Sequence, residues 1–293
     1  MALDVVRLTP ASLSHLSMFA SKAYFSLTEI LDPAHHRTHN EWHQLDHRPE
    51  NLLLPGIAWG DRWVRSPDCA QASAGLAPEY ARTHYAIMYW FREPLRATLD
   101  EFFELSELSF QWGRSPQIGW TKRPLRGFFS PIKGYVAPRV RVSADALARR
   151  PVRGIHVTVS RLRRHDALAQ EAFRWYDEVR IPDLLQCRGA AGAWTFASDD
   201  LFPPPWEGES MPAWSFADSA SRRAEASPLR MTIMYLDEDP LEYLADVARR
   251  DAAWRASGRV RDTSSIEEVF FASPFRMIVP WEWNWFDNAK AAS

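Results

Sequence analysis

Two hydrophobic periods alternate along the chain. Short runs rich in β-branched and aromatic residues, "AYFSLTEI" (23–30), "GIAWGDRWV" (56–64) and "HYAIMYWF" (84–91), read as strands. Between them, 38–54 is an amphipathic helix, and Leu95, Leu99, Phe102 and Phe103 form an apolar stripe at helical spacing. Glu93 caps that second helix and Pro94 takes its first position. "GFFSPIKGYVAP" (127–138) closes the set as a strand. The same order recurs as "RGIHVTVSR" (153–161), a helix over 168–186, "AAGAWTFAS" (190–198), "LRMTIMYLD" (229–237), a helix from Asp239-Pro240, and "EEVFFASPFRMIV" (267–279). Each set is β-α-β-β-α-β, the ferredoxin-like order. A sheet with helices on one face must bury the other against a second sheet, and the second set supplies it. The predicted class is α+β, with two tandem ferredoxin-like units over 1–140 and 141–293 joined through 137–152.

The halves share sequence as well as pattern. "WHQLDHRPENLLLPG" (42–56) lies over "WYDEVRIPDLLQCRG" (175–189), pairing Trp42 with Trp175, Pro49 with Pro182 and Gly56 with Gly189. "AIMYWFREPL" (86–95) lies over "TIMYLDEDPL" (232–241), which pairs Tyr89 with Tyr235, and "FFSPIKGYVAP" lies over "FFASPFRMIVP". Matches in one order indicate a tandem duplication. Two long stretches interrupt the pattern, 65–83 and 199–228, and such lengths are uncommon unless functional or disordered. The second carries Phe202, Trp206, Trp214 and Phe216, suiting a lid over a pocket or an oligomer contact. Trp281, Trp283 and Trp285 alternate near the C-terminus and suit the same two roles.

Composition narrows the function. With 46% hydrophobic and 25% charged residues the chain is an ordinary globular protein. A net charge of −2 without a basic block excludes a nucleic-acid footprint. No apolar run approaches the roughly 18–20 residues of a membrane span. "MALDVVRLTP" lacks the features of a signal peptide, and two cysteines without CxxC spacing fit a reducing, cytoplasmic setting. No glycine-rich phosphate loop or GxSxG elbow is present, which disfavours nucleotide chemistry and triad hydrolysis.

"EWHQLDHRPENLLLPGIAWGDRW", with an aromatic-His pair, His-x-Pro-Glu and Pro-Gly before a strand, resembles the EthD-like group of dimeric α/β-barrel proteins. "RWYDEVRIPDLLQCRG" looks like the same motif with its histidines replaced. The resemblance implies two ferredoxin-like units facing each other around an apolar cavity, here within one chain. It also implies a range of chemistries: cofactor-free monooxygenases, cyclases, dehydratases, decarboxylases, isomerases and some haem enzymes. Fold analogy does not choose among them.

Five of the nine histidines lie in "HHRTHNEWHQLDHRPE" (35–50). On a helical wheel Trp42, Leu45, Leu52 and Leu53 form the stripe toward the sheet, and His39, His43 and His47 lie on its flank beside Asp46 and Glu50. Three histidines spanning i to i+8 cannot share one ion, because that span is roughly 12 Å and Zn–N bonds are about 2.0–2.1 Å. A metal would need a pair of these histidines and a ligand from elsewhere, such as His84 or His156. A haem would need one axial histidine, and no residue is marked for that role. A neutral imidazole beside a carboxylate can move a proton near pH 7. A solvated, histidine-rich helix face is the plain alternative.

The reading that results is a cofactor-independent enzyme. It uses His43, His47 and Glu50 for proton transfer in an elimination, isomerisation, cyclisation or decarboxylation. The substrate is an apolar, aromatic or polycyclic oxygenated small molecule. Trp42, Asp46, Tyr89, Tyr176, Arg180 and Tyr235 are the candidates to bind it. His43 and His47 are expected at the cavity, with His35, His36 and His39 near solvent. Arg180 could instead form a surface pair with Asp183. Alternatives are a cofactor-free or haem-dependent oxygenase, an enzyme with one divalent metal, and a non-catalytic carrier of hydrophobic ligands. The chain is expected as a monomeric pseudo-dimer or a homodimer, with no nucleic-acid or membrane partner.

Overall fold

The computed structural model describes residues 20–114, 119–198 and 228–287. The aromatic-rich insertion at 199–227 lies outside them. The first unit runs β1 (Lys22–Ile30), a helix made of α1 (His36–Glu41), a π-helical turn (Trp42–His47) and α2 (Arg48–Asn51), then β2 (Ile57–Val64). A short α3 (Pro67–Gln71) precedes β3 (Tyr85–Phe91), α4 (Leu95–Gln111) and β4 (Thr121–Val136). The second unit runs β5 (Gly154–Leu162), α5 (Ala167–Trp175), a π-helical turn (Tyr176–Arg180), α6 (Ile181–Leu184), β6 (Ala190–Ser198), β7 (Leu229–Leu236), α7 (Pro240–Ala256) and β8 (Glu267–Met277). Both units are β-α-β-β-α-β. The strands lie where alternation places them, except that β4 begins six residues early through the polar run at Thr121. Pro94 is the cap of α4, not its first residue, and the Glu93 carboxylate accepts the Leu95 N–H at 2.7 Å.

The strands close into one barrel in the order β1-β3-β2-β8-β5-β7-β6-β4. Each half contributes a ferredoxin-like sheet. The halves join at two antiparallel seams, β2 with β8 (Trp63 opposite Met277) and β4 with β6 (Val136 opposite Gly192). Buried Arg65 crosses the first seam, donating to Ser273 Oγ at 2.9 Å and to the carbonyls of Ala81 and Thr83. Arg276 crosses the other way to Asp68 at 2.7 Å and is also held by Asp239 of its own unit at 2.7 Å.

The apolar cavity expected between the sheets gives way, among the described residues, to packed side chains. The inner faces meet in one packed core of Phe25, Met88, Trp90, Val157, Phe196, Ile233, Phe271 and Phe275. Leu147 and Ala148 of the connection and Tyr80 of the 65–83 segment enter the same core. The matched Ile-Met-Tyr triplets are out of phase by one residue. Tyr89 pairs with Tyr24 on the helix-facing side, whereas Tyr235 pairs with Ile155 inside the barrel. A one-residue slip reverses every side chain of a strand, so the two tyrosines are not equivalent and Tyr235 faces no site. No described helix is long and apolar enough to cross a membrane.

Gly60 marks where side chain and backbone meet most closely on the outer face of β2. A Cβ there would lie 2.3–2.4 Å from the Tyr89 ring. Gly60→Ala is expected to destabilise the protein by about 1–3 kcal/mol, as overpacking typically does. A denaturant midpoint equal to that of the parent would show that Tyr89 moves aside freely.

Candidate functional site

Both helices following the first strand of a unit carry the same irregularity, for the same reason. Pro49 and Pro182 bring no N–H and crowd the carbonyl four residues back. The helix answers by widening one turn: the Arg48 N–H reaches the carbonyl of His43, and the Ile181 N–H that of Tyr176, each five residues away. The wider turn keeps residues four apart in line, so in the first unit the face turned to the sheet is His36, His39, Asn40, His43 and Asn51. The expected apolar stripe does not take that place. Leu53 is 82% exposed, and Leu52 packs only at the margin.

His36 and His39, expected near solvent, are buried with His43. His36 Nδ1 lies 2.8 Å from the Tyr85 hydroxyl, which also accepts Asn40 Nδ2 at 2.8 Å. Asn40 Oδ1 in turn accepts Arg62 Nη2 at 3.1 Å. His47 is half-buried, stacks on Trp42 with ring centres 4.7 Å apart, and meets Asn51 Nδ2 at 3.2 Å. Tyr89 shares this face near Asn51. Glu50 does not join His47; its carboxylate pairs with Arg114 at 2.6 Å, and Asp46 is exposed. The histidine–carboxylate dyad foreseen from the sequence is therefore not assembled. Arg62, Asn40 and Tyr85 went unmarked, although an arginine in the buried phase of "IAWGDRWV" was a visible signal.

The 283–286 segment folds back over this layer. Trp283 is buried with Ile30, Val64 and Tyr85, and Phe286 stacks on His36 at 4.1 Å. Burial keeps these imidazoles neutral. It lowers His36 to about 4 and His47 and His84 to about 3, and His39 and His43 lie well below the usual value, all with desolvation as the main cause. A pH–activity step near 6.5 is thus not expected from His47.

In the second unit the sheet positions under the helix are small and polar, and a cavity of about 200 Å³ opens there. Its floor is the adjacent pairs His156–Met234, Thr158–Thr232 and Ser160–Arg230 on β5 and β7. Tyr176 and Arg180 hang over it from the bulged helix. Glu267, Arg230 and Ser160 were not foreseen. Glu267 is 4% exposed and accepts the Tyr176 hydroxyl at 2.5 Å and the Ser160 hydroxyl at 2.5 Å. The Arg230 guanidinium lies 4.0 Å from the Tyr176 ring centre, and that of Arg180 5.2 Å from Trp254. Neither arginine makes an ion pair among the described residues. Asp183 pairs instead with Arg259 at 2.5 Å, which corrects the expected Arg180–Asp183 pair. Burial, then the Glu267 charge, raises Tyr176 to about 12, and burial lowers His156 to about 4.

Two four-stranded sheets packed face to face with their helices outside define the class. This is a dimeric α/β barrel folded from a single chain. No family model and no curated protein sequence matches it. Among solved structures it is similar to a putative monooxygenase from Lactobacillus acidophilus NCFM at 7% identity, covering 88% of this chain and 93% of that one, with a TM-score of 0.42. A putative chlorite dismutase matches at 10% identity over 90% and 98% of the two chains, with a TM-score of 0.45. A haem-bound variant of DypB from Rhodococcus jostii RHA1 matches at 11% over 88% and 93%, with a TM-score of 0.49. In the present chain the second-unit cavity does not fit a haem. It is smaller than the roughly 300–1,000 Å³ of ordinary ligand pockets, and no histidine faces it from the helix. No group of three or more metal-ligating side chains occurs among the described residues.

Six neutral histidines make stability depend on pH. Their folded pKa values are depressed, so below about 6.5 the unfolded chain gains protons that the folded one refuses. Stability is complete above that value and falls as pH drops toward about 4. Each histidine contributes at most about 1.4 kcal/mol per pH unit, against a typical total of about 5–15 kcal/mol. Thermal unfolding followed by circular dichroism should show a level midpoint above pH 7 and a steep fall below 6. A midpoint unchanged down to pH 5 would mean these rings accept protons in the folded state.

Proposed function

We propose that the chain is an enzyme that moves a proton on a small oxygenated molecule without an organic cofactor, and that the reaction takes place in the second-unit cavity. One observation supports this most: a buried Glu267–Tyr176 pair faces the same cavity as two arginines that have no ion-pair partner among the described residues. The volume suits a single ring or a short chain, smaller than the polycyclic substrate suggested by the sequence.

The arrangement divides the work by charge. Arg230 and Arg180 attract the substrate's carbonyl or carboxylate oxygen. Glu267 takes a proton from the carbon next to the carbonyl, and the bonding electron pair moves onto the oxygen beside the arginines, where the developing charge is stabilised. Tyr176, held protonated at neutral pH, then gives its proton to the far carbon in an isomerisation or to the departing oxygen in an elimination, and Glu267 returns the abstracted proton to the Tyr176 oxygen along their hydrogen bond. Ser160 keeps the second Glu267 oxygen in place. The apolar rim of Ile181, Leu184, Leu244 and Val247 excludes water. His43 and His47 have no part in this step, since they sit under the other helix.

Exchange of carbon-bound protons reads the chemistry directly. Small enolisable ketones and lactones incubated with the protein in D₂O should lose their α-proton NMR signals faster than in buffer. Glu267→Gln should slow that exchange by about 10²–10⁴-fold, Tyr176→Phe by less, and Arg230→Met should chiefly weaken binding. Exchange by Glu267→Gln at the parent rate would rule out Glu267 as the base.

A further inference from the structure

The first-unit layer carries an unbalanced positive charge. Arg62 is 1% exposed, and its described partners are the Asn40 carbonyl at 3.1 Å and the Tyr85 ring at 5.1 Å, both neutral. Its Nε and Nη1 have no hydrogen-bond partner. No described carboxylate answers it: Asp61 is paired with Arg48 at 2.9 Å, Glu29 with Arg82 at 2.9 Å, Glu41 with Arg37 at 2.8 Å and Glu50 with Arg114, while Asp287 acts on His36 and Arg37 and not on Arg62. A buried guanidinium without a counter-charge is costly.

The groups around it are short of acceptors in the same way. Both ring nitrogens of His39 and Nδ1 of His43 are buried without partners, and their strongest charged neighbour is Arg62. The Tyr89 hydroxyl, on the same sheet face, forms no well-shaped hydrogen bond either. A neutral imidazole offers one N–H, a phenol one O–H and a guanidinium several. Such a set lacks a ligand that only accepts. The widened helical turn is what aims His43 inward, and wide turns of this kind recur at functional sites.

We propose that this layer binds a small oxyanion of the carboxylate type, with Arg62 as its counter-charge and His39 and His43 as N–H donors. The layer is enclosed, by Phe286 stacked on His36 at one end and Trp42 stacked on His47 at the other. It therefore admits a free ion such as formate or bicarbonate, and excludes the carboxylate end of a larger aromatic molecule. This site is separate from the second-unit cavity and does not depend on the chemistry proposed there.

Calorimetric titration at neutral pH with sodium formate, and separately with sodium benzoate, tests it in the full chain carrying Arg180→Met and Arg230→Met, which remove the anion-attracting side chains of the second-unit cavity. Formate should bind, benzoate should not, and formate should raise the thermal midpoint by mass action. Arg62→Met should weaken formate binding at least roughly tenfold, as loss of a charged hydrogen-bond partner does. If Arg62→Met does not fold, His39→Phe removes two of the unpaired nitrogens while leaving the charge, and it should weaken binding too. No formate binding at tens of millimolar, equal binding of benzoate, or binding indifferent to Arg62 and His39 would each overturn the assignment.

Discussion

Two sheets that must hide one apolar face each can do so against each other, and every other feature of this chain follows from that contact. The aromatic core between the sheets takes up most of the inner-facing side chains. Polar chemistry is left with the outer faces, beneath the helices. This is why a cavity opens between sheet and helix. It is also why the buried polar residues of both units sit on the alternate positions of the same strands.

The two outer faces show how one backbone plan supports different chemistry. Proline at the same point widens both first helices, so the same positions turn toward the sheet. In the first unit the strands opposite carry Tyr85, Ile87 and Tyr89, which narrow the space under the helix to a polar layer. In the second they carry Thr158, Ser160 and Thr232, and space remains. His43 and His47 correspond to Tyr176 and Arg180. A layer of neutral rings beside one guanidinium faces a cavity with a carboxylate, a phenol and two guanidiniums. A homodimer would have to repeat one face twice. A single chain is free to build two.

Much of this architecture was legible beforehand. Alternation located the strands because each sheet has one core-facing side, and the Trp-x-Pro-x-Gly correspondence placed the two bulged helices together. The site was harder to read. A helical wheel assumes a constant turn, and the turn before Pro49 is not constant, so histidines assigned to a flank are in fact at the interface. Glu50 looked like the partner of His47 by spacing, but Arg114, sixty-four residues away, claims it. Glu267 reaches Tyr176 from another strand, which spacing along one helix cannot show. The pairing of Tyr89 with Tyr235 failed by a single residue, enough to move one of them inside the barrel.

The seam between β2 and β8 has a consequence for how the protein is made. Arg65 bonds to a serine 208 residues further along, and the edge of β2 meets no partner until β8 exists. The edge of β4 likewise waits for β6. As a ribosome delivers the chain from its N-terminus, the first unit emerges with an uncovered apolar face and two open strand edges, the surfaces most prone to mispairing. Its helix layer lacks Trp283 and Phe286 until the second unit has emerged. The first half is synthesised early but finished only after the second, so its safe passage depends on the speed with which the second half follows.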